Sequence, residues 1–346
     1  MIMKKETKVQ IIIICILTII LGVLIILTMK EINGKGPMGF DTESKEKQTK
    51  KEDIDIGINV DDRNINLNDY NSNINISEGG EYTIEGDFNY SLIIDTTKKV
   101  ILNLNNVKIN SDSTAAIVNV NNTELVINLV DGSNNVLSDN GSSEYDSCIY
   151  SVGKLIIDGS GSLNVYGNQE EGEGIATESN DITINGGNIY VEANDDGINA
   201  GGDGGTITIN NGNITIKATG DGIDSNKNLI INGGSIYTIG SPLGGDAGID
   251  TDEGFVINGG EVIALGSDML EKPEKSSKQK SISFSLDKKI ASGKKIVLKD
   301  IEDEEIISFE AKEDFKTLII SNDKITTGTY YLYIDGEKTE YKGEVK

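Results

Sequence analysis

The 346-residue sequence has no histidine, no tryptophan, only three prolines and two cysteines. Without His, the Ser-His-Asp and Cys-His arrangements, His-ligated zinc and an imidazole pH switch are all excluded. Without Trp, the strongest aromatic platform for a sugar or a cation is missing. Two Cys cannot build a disulfide scaffold, and one of them, Cys15, lies inside an apolar run. Basic residues are scarce as well: 31 Lys and Arg stand against 56 Asp and Glu, a formal charge of −25. A chain this acidic repels nucleic acid, whose binding needs clustered cations. What is present is 40 Gly and a surplus of carboxylates, so any chemistry here is carboxylate chemistry.

The one long apolar run is Val9 to Met29, 21 residues preceded by Lys4, Lys5 and Lys8. About 20 apolar residues cross a bilayer as a helix, and no small-x-small cleavage site follows. Residues 1–30 therefore read as a cytoplasmic tip and a single transmembrane helix, with the bulk of the chain outside the cell membrane. Residues 31–53 are polar and aperiodic, a flexible stalk.

Beyond the stalk a unit of about 25 residues repeats. A Gly-Ile step recurs at Gly174-Ile175, Gly197-Ile198, Gly222-Ile223 and Gly248-Ile249, with earlier versions at Ala116-Ile117 and Cys148-Ile149. An apolar-x-apolar strand ending in Asn or Asp and Gly or Asn follows each, as in Ile182 to Gly186 and Leu229 to Gly233. A Gly-x-apolar-x-apolar strand comes third, and equivalent positions are 27, 25, 22 and 26 residues apart. Period-two alternation and β-branched residues exclude helices. Three short strands per repeat with Gly/Asn corners describe one coil of a parallel β-helix over residues 54–268. The spacing predicts an internal ladder of Ile117, Ile149, Ile175, Ile198, Ile223 and Ile249, and another of Leu163, Ile189, Ile214, Ile236 and Val262. Cys148 falls beside the first ladder as a small buried apolar group. Gly at the corners supplies positive φ.

The pattern stops at Asp268. Residues 269–280 hold a Pro and no periodicity, which reads as a linker. From 281 to 346 five alternating segments predict a small antiparallel β-sandwich-like module. At this size it packs on the helix end and covers a strand edge open to other molecules.

Residues 139–268 carry 21 Asp and Glu against Lys154, Lys217 and Lys227, so this block holds −18 of the −25. Part of that charge recurs in register. Glu173, Asp196, Asp221 and Ala247 stand two places before the ladder Ile, with Asp195 and Asp246 one place earlier. Ala176, Asn199, Asp224 and Asp250 stand one place after it. Coils stack about 4.8 Å apart, so these carboxylates line up and repel unless a cation joins them. Calcium, which takes 6–8 oxygen ligands at about 2.3–2.6 Å, resolves the repulsion. The other reading is a set of solvated turn residues. The repetition at one corner, with no cations answering it, favours calcium at Asp196, Asp221, Asp224, Asp246 and Asp250.

At GGEYTIEGDF (79–88), VDGSNNVLSD (130–139), LIIDGSGSLNV (155–165), ITINGGNIYV (182–191) and the steps at Asp196, Asp221 and Gly248, the sequence resembles a family. It is similar to bacterial carbohydrate-binding β-helix domains that bind pectic and cellulosic polysaccharide and share their fold with pectate lyases. The likeness covers most of 55–268 and extends to Ser281–Asp335. It implies a right-handed parallel β-helix, bound calcium and an acidic polysaccharide as partner. Carried over by position, the family's calcium ligands fall on Asp196, Asp221, Asp224, Asp246 and Asp250. Ala247 and Asn199 depart from the pattern, standing where neighbouring coils carry Asp.

These features together point to a monomeric, membrane-anchored, calcium-dependent binder of acidic or cellulosic polysaccharide that performs no catalysis. Tyr190 and Tyr237, outward on the third strand and two coils apart, are candidates for stacking on pyranose rings, with cross-strand packing as the alternative. A calcium-dependent lyase remains open; with no His its base would be Lys or Arg, and Lys227, three residues after Asp224, is the candidate. A surface adhesin that uses calcium only for rigidity is the third reading.

Overall fold

The computed structural model describes residues 55–345, except 113 and 141–144. Residues 55–346 form one compact unit. The transmembrane helix and the stalk expected before it lie outside the described residues, and among the described residues no helix is long and apolar enough to cross a membrane.

The alternating triplets form short parallel strands that wind into coils with three faces. The first face is a nine-stranded parallel sheet running from Ile58–Asn59 to Asp250–Thr251. The second face runs from Asn64–Asn66 to Gly254–Ile257, and the third face ends its parallel run at Glu261–Gly266. Two long strands, Gly80–Phe88 and Val100–Ser111, each serve both the second and the third face, which joins these faces into a single sheet. The chain is thus an all-β parallel solenoid, as its repeat predicts.

The ladders read from sequence match the observed register. Ile117, Ile149, Ile175, Ile198 and Ile223 pair in succession on the first face. Leu163, Ile189, Ile214, Ile236 and Val262 do so on the third. All are buried in one continuous core with Cys148, whose thiol burial pushes well above its usual range. Amide side chains form a further ladder outside the core. Asn258 donates to Asn232, Asn232 to Asn210 and Asn210 to Asn185, at 2.9, 2.9 and 2.8 Å. Each bond ties one coil to the next.

Glycine does two different things. Gly159, Gly187, Gly212, Gly234 and Gly260 have φ between +91° and +120° at the turn from second to third face, as expected. The Gly-Ile glycines are needed for another reason. A Cβ on Gly174, Gly197 or Gly222 would stand 2.5–2.6 Å from the carbonyl oxygen of the matching glycine in the next coil. Gly197→Ala should therefore destabilise the protein by about 3 kcal/mol, the cost of overpacking a closed contact. Thermal unfolding measures it, and an unchanged melting temperature would show that the coils spread freely.

The C-terminal residues bear on two expectations. The module over 281–346 does contain a four-stranded antiparallel sheet, built from Glu305–Glu310, Lys295–Asp300, Gly328–Ile334 and Glu337–Val345. It packs on the last coil, where its Phe315–Ser321 strand pairs antiparallel with Glu261–Gly266 and with Ser281–Ile290. Ile239, Ile263 and Leu265 of the last coils share one core with Ile282, Phe284, Leu298 and Leu332. Residues 269–280, expected as a linker, are tied to the last coil. Glu274 and Gln279 donate their amides to Phe255 and Ile257, and Ser277 Oγ accepts from Ile257 N at 3.0 Å. The segment lies along the open edge of the second face, and a single pass over an edge has no period to betray it.

Candidate functional site

The corner between the third and first faces carries the recurring acids. Each third-face strand ends, the chain turns through an Asp pair or its equivalent, and the Gly-Ile step begins the first face. Gly174 N bonds Asp196 O, and Gly197 N bonds Asp221 O, both at 2.9 Å, so this corner repeats in register from coil to coil. Asp224 and Asp250 occupy the outward position next to the buried Ile, and they pair directly, with Asn199 one coil before Asp224.

The five sequence-predicted ligands lie along this corner on successive coils, close enough to influence one another. Burial pushes the Asp221 carboxyl up to about 8, and Asp196, Asp250 and Asp246 add to the effect. Asp196 and Asp224 are pushed up as well, by burial first and then by Asp195 and Asp221 respectively. Burial raises Asp246 and Asp250, each with a smaller contribution from a neighbouring Asp. Two of the acids also brace the stack: Asp196 Oδ1 accepts from Asp221 N at 2.7 Å, and Asp221 Oδ1 accepts from Ala247 N at 2.5 Å. These bonds favour the ionised form but do not offset burial.

Two further groups belong to the corner. Glu173 is raised well above the usual carboxylate range by burial, then by Asp146 and Asp196. Asn199 Nδ2 donates to Glu173 Oε1 at 2.5 Å and to Asp196 Oδ2 at 3.3 Å, while its Oδ1 is buried with no partner. Glu271 Oε2, in the segment across the last coil, is buried and unpartnered too, and Glu271 Oε1 accepts from Thr251 Oγ1 at 2.7 Å. Asn199 was legible in register with Asp224 and Asp250. Glu271 was not, because it stands outside the repeat.

The donor set consists of oxygens only, which suits a hard cation rather than zinc or copper. The orphaned Asn199 Oδ1 is an acceptor that a cation would satisfy. A Cβ on Gly220 would run into the carboxylates of Asp195 and Asp196, so the backbone closes tightly around them. Among the described residues, no three acidic side chains are yet drawn around a common point. Asp139, by contrast, is wholly buried but satisfied by Asn168 N at 2.7 Å and Gln169 Nε2 at 2.6 Å, a structural role.

The remaining candidates separate. Tyr190 is on the outward side of the third face, half-buried, with its hydroxyl donating to Glu192 Oε2 at 2.9 Å. Tyr237 does not offer a free ring. Phe309 meets it edge-on at 5.9 Å, Lys312 Nζ lies 5.3 Å from its centroid, and its hydroxyl accepts from Lys312 N at 3.1 Å. The C-terminal module has folded over it, an event the repeat does not encode. Lys227 lies with its stem against Gly204 of the preceding coil and its amide on Ser225 Oγ, in the turn from first to second face. That turn is at the other end of the first-face strand from the Asp196 and Asp221 corner.

A family model described as carbohydrate-binding domain-containing protein matches residues 70–330. A carbohydrate-binding domain-containing protein of Acetivibrio thermocellus is 35% identical over 129 residues, which are 34% of this chain and 44% of that protein. The chain therefore matches less than half the length of that relative. Among solved structures, the gadolinium derivative of a polysaccharide lyase-like protein from C. thermocellum is similar, with a TM-score of 0.45 and 28% identity. The likeness covers 60% of this chain and 87% of that one.

Proposed function

The chain belongs to the family of carbohydrate-binding domain-containing proteins, and from that premise we propose that it binds an acidic polysaccharide through calcium held along the corner from Glu173 to Asp250. The observation that carries this reading is a row of mutually repelling, half-buried carboxylates ending beside an unpartnered acceptor, Asn199 Oδ1. Asp196, Asp221, Asp224, Asp246 and Asp250 would hold the ion, with Glu173 and Asn199 at one end. A bound divalent cation supplies neutralising charge and leaves coordination positions for a uronate carboxylate. The chain's own part is to keep these oxygens on adjacent coils, to shield them from water and to fix Asp196 and Asp221 through the backbone amides of the next coil.

The protein acts as a binder rather than a lyase. A lyase would need a base beside the bound uronate, and Lys227 packs in the turn beyond Ser225, with its stem on Gly204. The apolar run Val9 to Met29 would anchor the solenoid on the outer side of the cell membrane.

Titration of the full chain with polygalacturonate tests the reading. Affinity should appear with millimolar calcium and vanish when chelator is added. Asp221→Ala and Asp224→Ala should each lower calcium stoichiometry and weaken polygalacturonate binding at least about tenfold, as removal of a charged oxygen ligand does. Polygalacturonate affinity that ignores chelator, or variants with the full calcium count, would overturn the assignment.

A further inference from the structure

The third face has an outward side that the acidic corner does not use. Its register sets Asn164, Tyr190 and Thr215 in one axial row and Tyr166, Glu192 and Lys217 in the next. Past Thr215 this side is closed: Tyr237 and Ile239 lie under the C-terminal module, and Lys217 reaches across to Glu313 at 3.0 Å. What stays open is a strip two tyrosines wide, ending at a wall.

We infer that this strip, from Asn164 to Thr215, is a stacking platform for a single chain of pyranose rings, with Tyr166 and Tyr190 as its anchors. The proposal rests on the carbohydrate-binding reading but not on calcium. Tyr166 and Tyr190 come from adjacent coils, with ring centroids 6.0 Å apart and planes inclined by 57°. Tyr190 is held in place, because its hydroxyl is bound to Glu192 and Glu192 is paired with Lys217 at 3.3 Å. A fixed aromatic ring binds a sugar face without first losing side-chain freedom. Amides flank the rings: Asn213 Nδ2 donates to Asn188 Oδ1 at 2.9 Å, and both residues are exposed beside the strip, where sugar hydroxyls find donors and acceptors.

Spacing and tilt narrow the occupant. Coils repeat about every 4.8 Å, close to the length of one pyranose unit, so a glycan lying along the axis meets one coil per sugar. Rings inclined to one another follow a twisted chain and cannot both lie flat on a crystalline ribbon. The platform therefore takes soluble, isolated glycan chains. The strand leads across the axis to Asp195 and Asp196, so a chain lying along the axis on the tyrosines runs beside the acidic corner and not into it.

The test uses the full chain with three probes: soluble polygalacturonate, soluble hydroxyethylcellulose and microcrystalline cellulose. Tyr166→Ala and Tyr190→Ala should each weaken binding of a soluble probe about tenfold, the size of one aromatic contact, with calcium stoichiometry and melting temperature unchanged. Tyr190→Phe, which keeps the ring but loses its tether to Glu192, should weaken binding less than Tyr190→Ala, and Tyr190→Leu, which keeps apolar bulk without a ring, should behave like the alanine variant. Microcrystalline cellulose should not retain the protein. Native affinity in both alanine variants would overturn the platform while leaving calcium-dependent binding intact. Retention on the crystalline probe, or loss of calcium stoichiometry in the tyrosine variants, would also overturn it. A native protein that binds neither soluble probe would remove both proposals.

Discussion

Freed of divalent cations, the protein should be far more stable at pH 5 than at pH 8.5, losing roughly 10 °C of melting temperature between them. Asp221 in the folded chain holds its proton up to about 8, against an ordinary value of 3.8, and Asp196 and Asp224 are displaced in the same direction. Between those limits the folded state binds more protons than the unfolded chain, so stability falls with each step up in pH. The contribution is fully present below the ordinary value and gone above about pH 8. Each unit of displacement is worth about 1.4 kcal/mol, but the groups interact and are partly solvated, so a combined loss of about 5 kcal/mol is the scale to expect. Calcium should reverse the trend. At pH 8.5 the carboxylates are already ionised and the ion gains the whole relief of repulsion; at pH 5 it must first displace protons. Millimolar calcium should therefore raise the melting temperature far more at pH 8.5 than at pH 5. At pH 7 its uptake should release protons into a weakly buffered solution. A melting temperature indifferent to pH in chelator, or an equal calcium gain at both pH values, would show that these aspartates are ordinary solvated turn residues.

Much of this corner was legible in the sequence because a solenoid turns sequence period into spatial neighbourhood. Positions 25 residues apart become stacked partners, so the alignment of Asn199, Asp224 and Asp250 could be read before any coordinates. The same logic found the Ile ladders and the glycine corners. It failed wherever a contact is made once. Tyr237 stands in register with Thr215 and Ile263 and looked as open as Tyr190, until the C-terminal module closed over it. Glu271 joins the last coil through Thr251 from a segment with no period. The Gly-Ile step was visible as a repeat but not its reason: these backbones need no left-handed conformation, and the residues are small because the neighbouring coil leaves no room for a Cβ. Period tells which residues stack, and says nothing of how closely the backbones approach.

Ending the chain at Asp268 should convert the solenoid into elongated aggregates. Parallel coils leave unpaired N–H and C=O groups at their last strand, which templates further strands. The native chain covers every face of that end. Phe315–Ser321 pairs with Glu261–Gly266, residues 274–279 bond to Phe255 and Ile257, and Glu271 reaches Thr251. Truncation removes all of these and bares Ile239, Ile263 and Leu265, whose burial contributes roughly 6 kcal/mol at about 2 kcal/mol for each side chain. The bared end of one copy and the first coil of another are different surfaces, so their contact is head-to-tail and does not close; the product is a fibre. Thioflavin fluorescence and light scattering that rise with concentration, with no monomer peak in gel filtration, are the expected readouts. Adding Ile263→Lys and Leu265→Lys to the truncated chain separates the causes. If strand edges drive assembly, the fibres should persist though the apolar patch is gone; if the patch drives it, monomer should return. A truncated chain that stays monomeric with the native melting temperature would mean that the module is an independent appendage, contrary to the core it shares with the last coils.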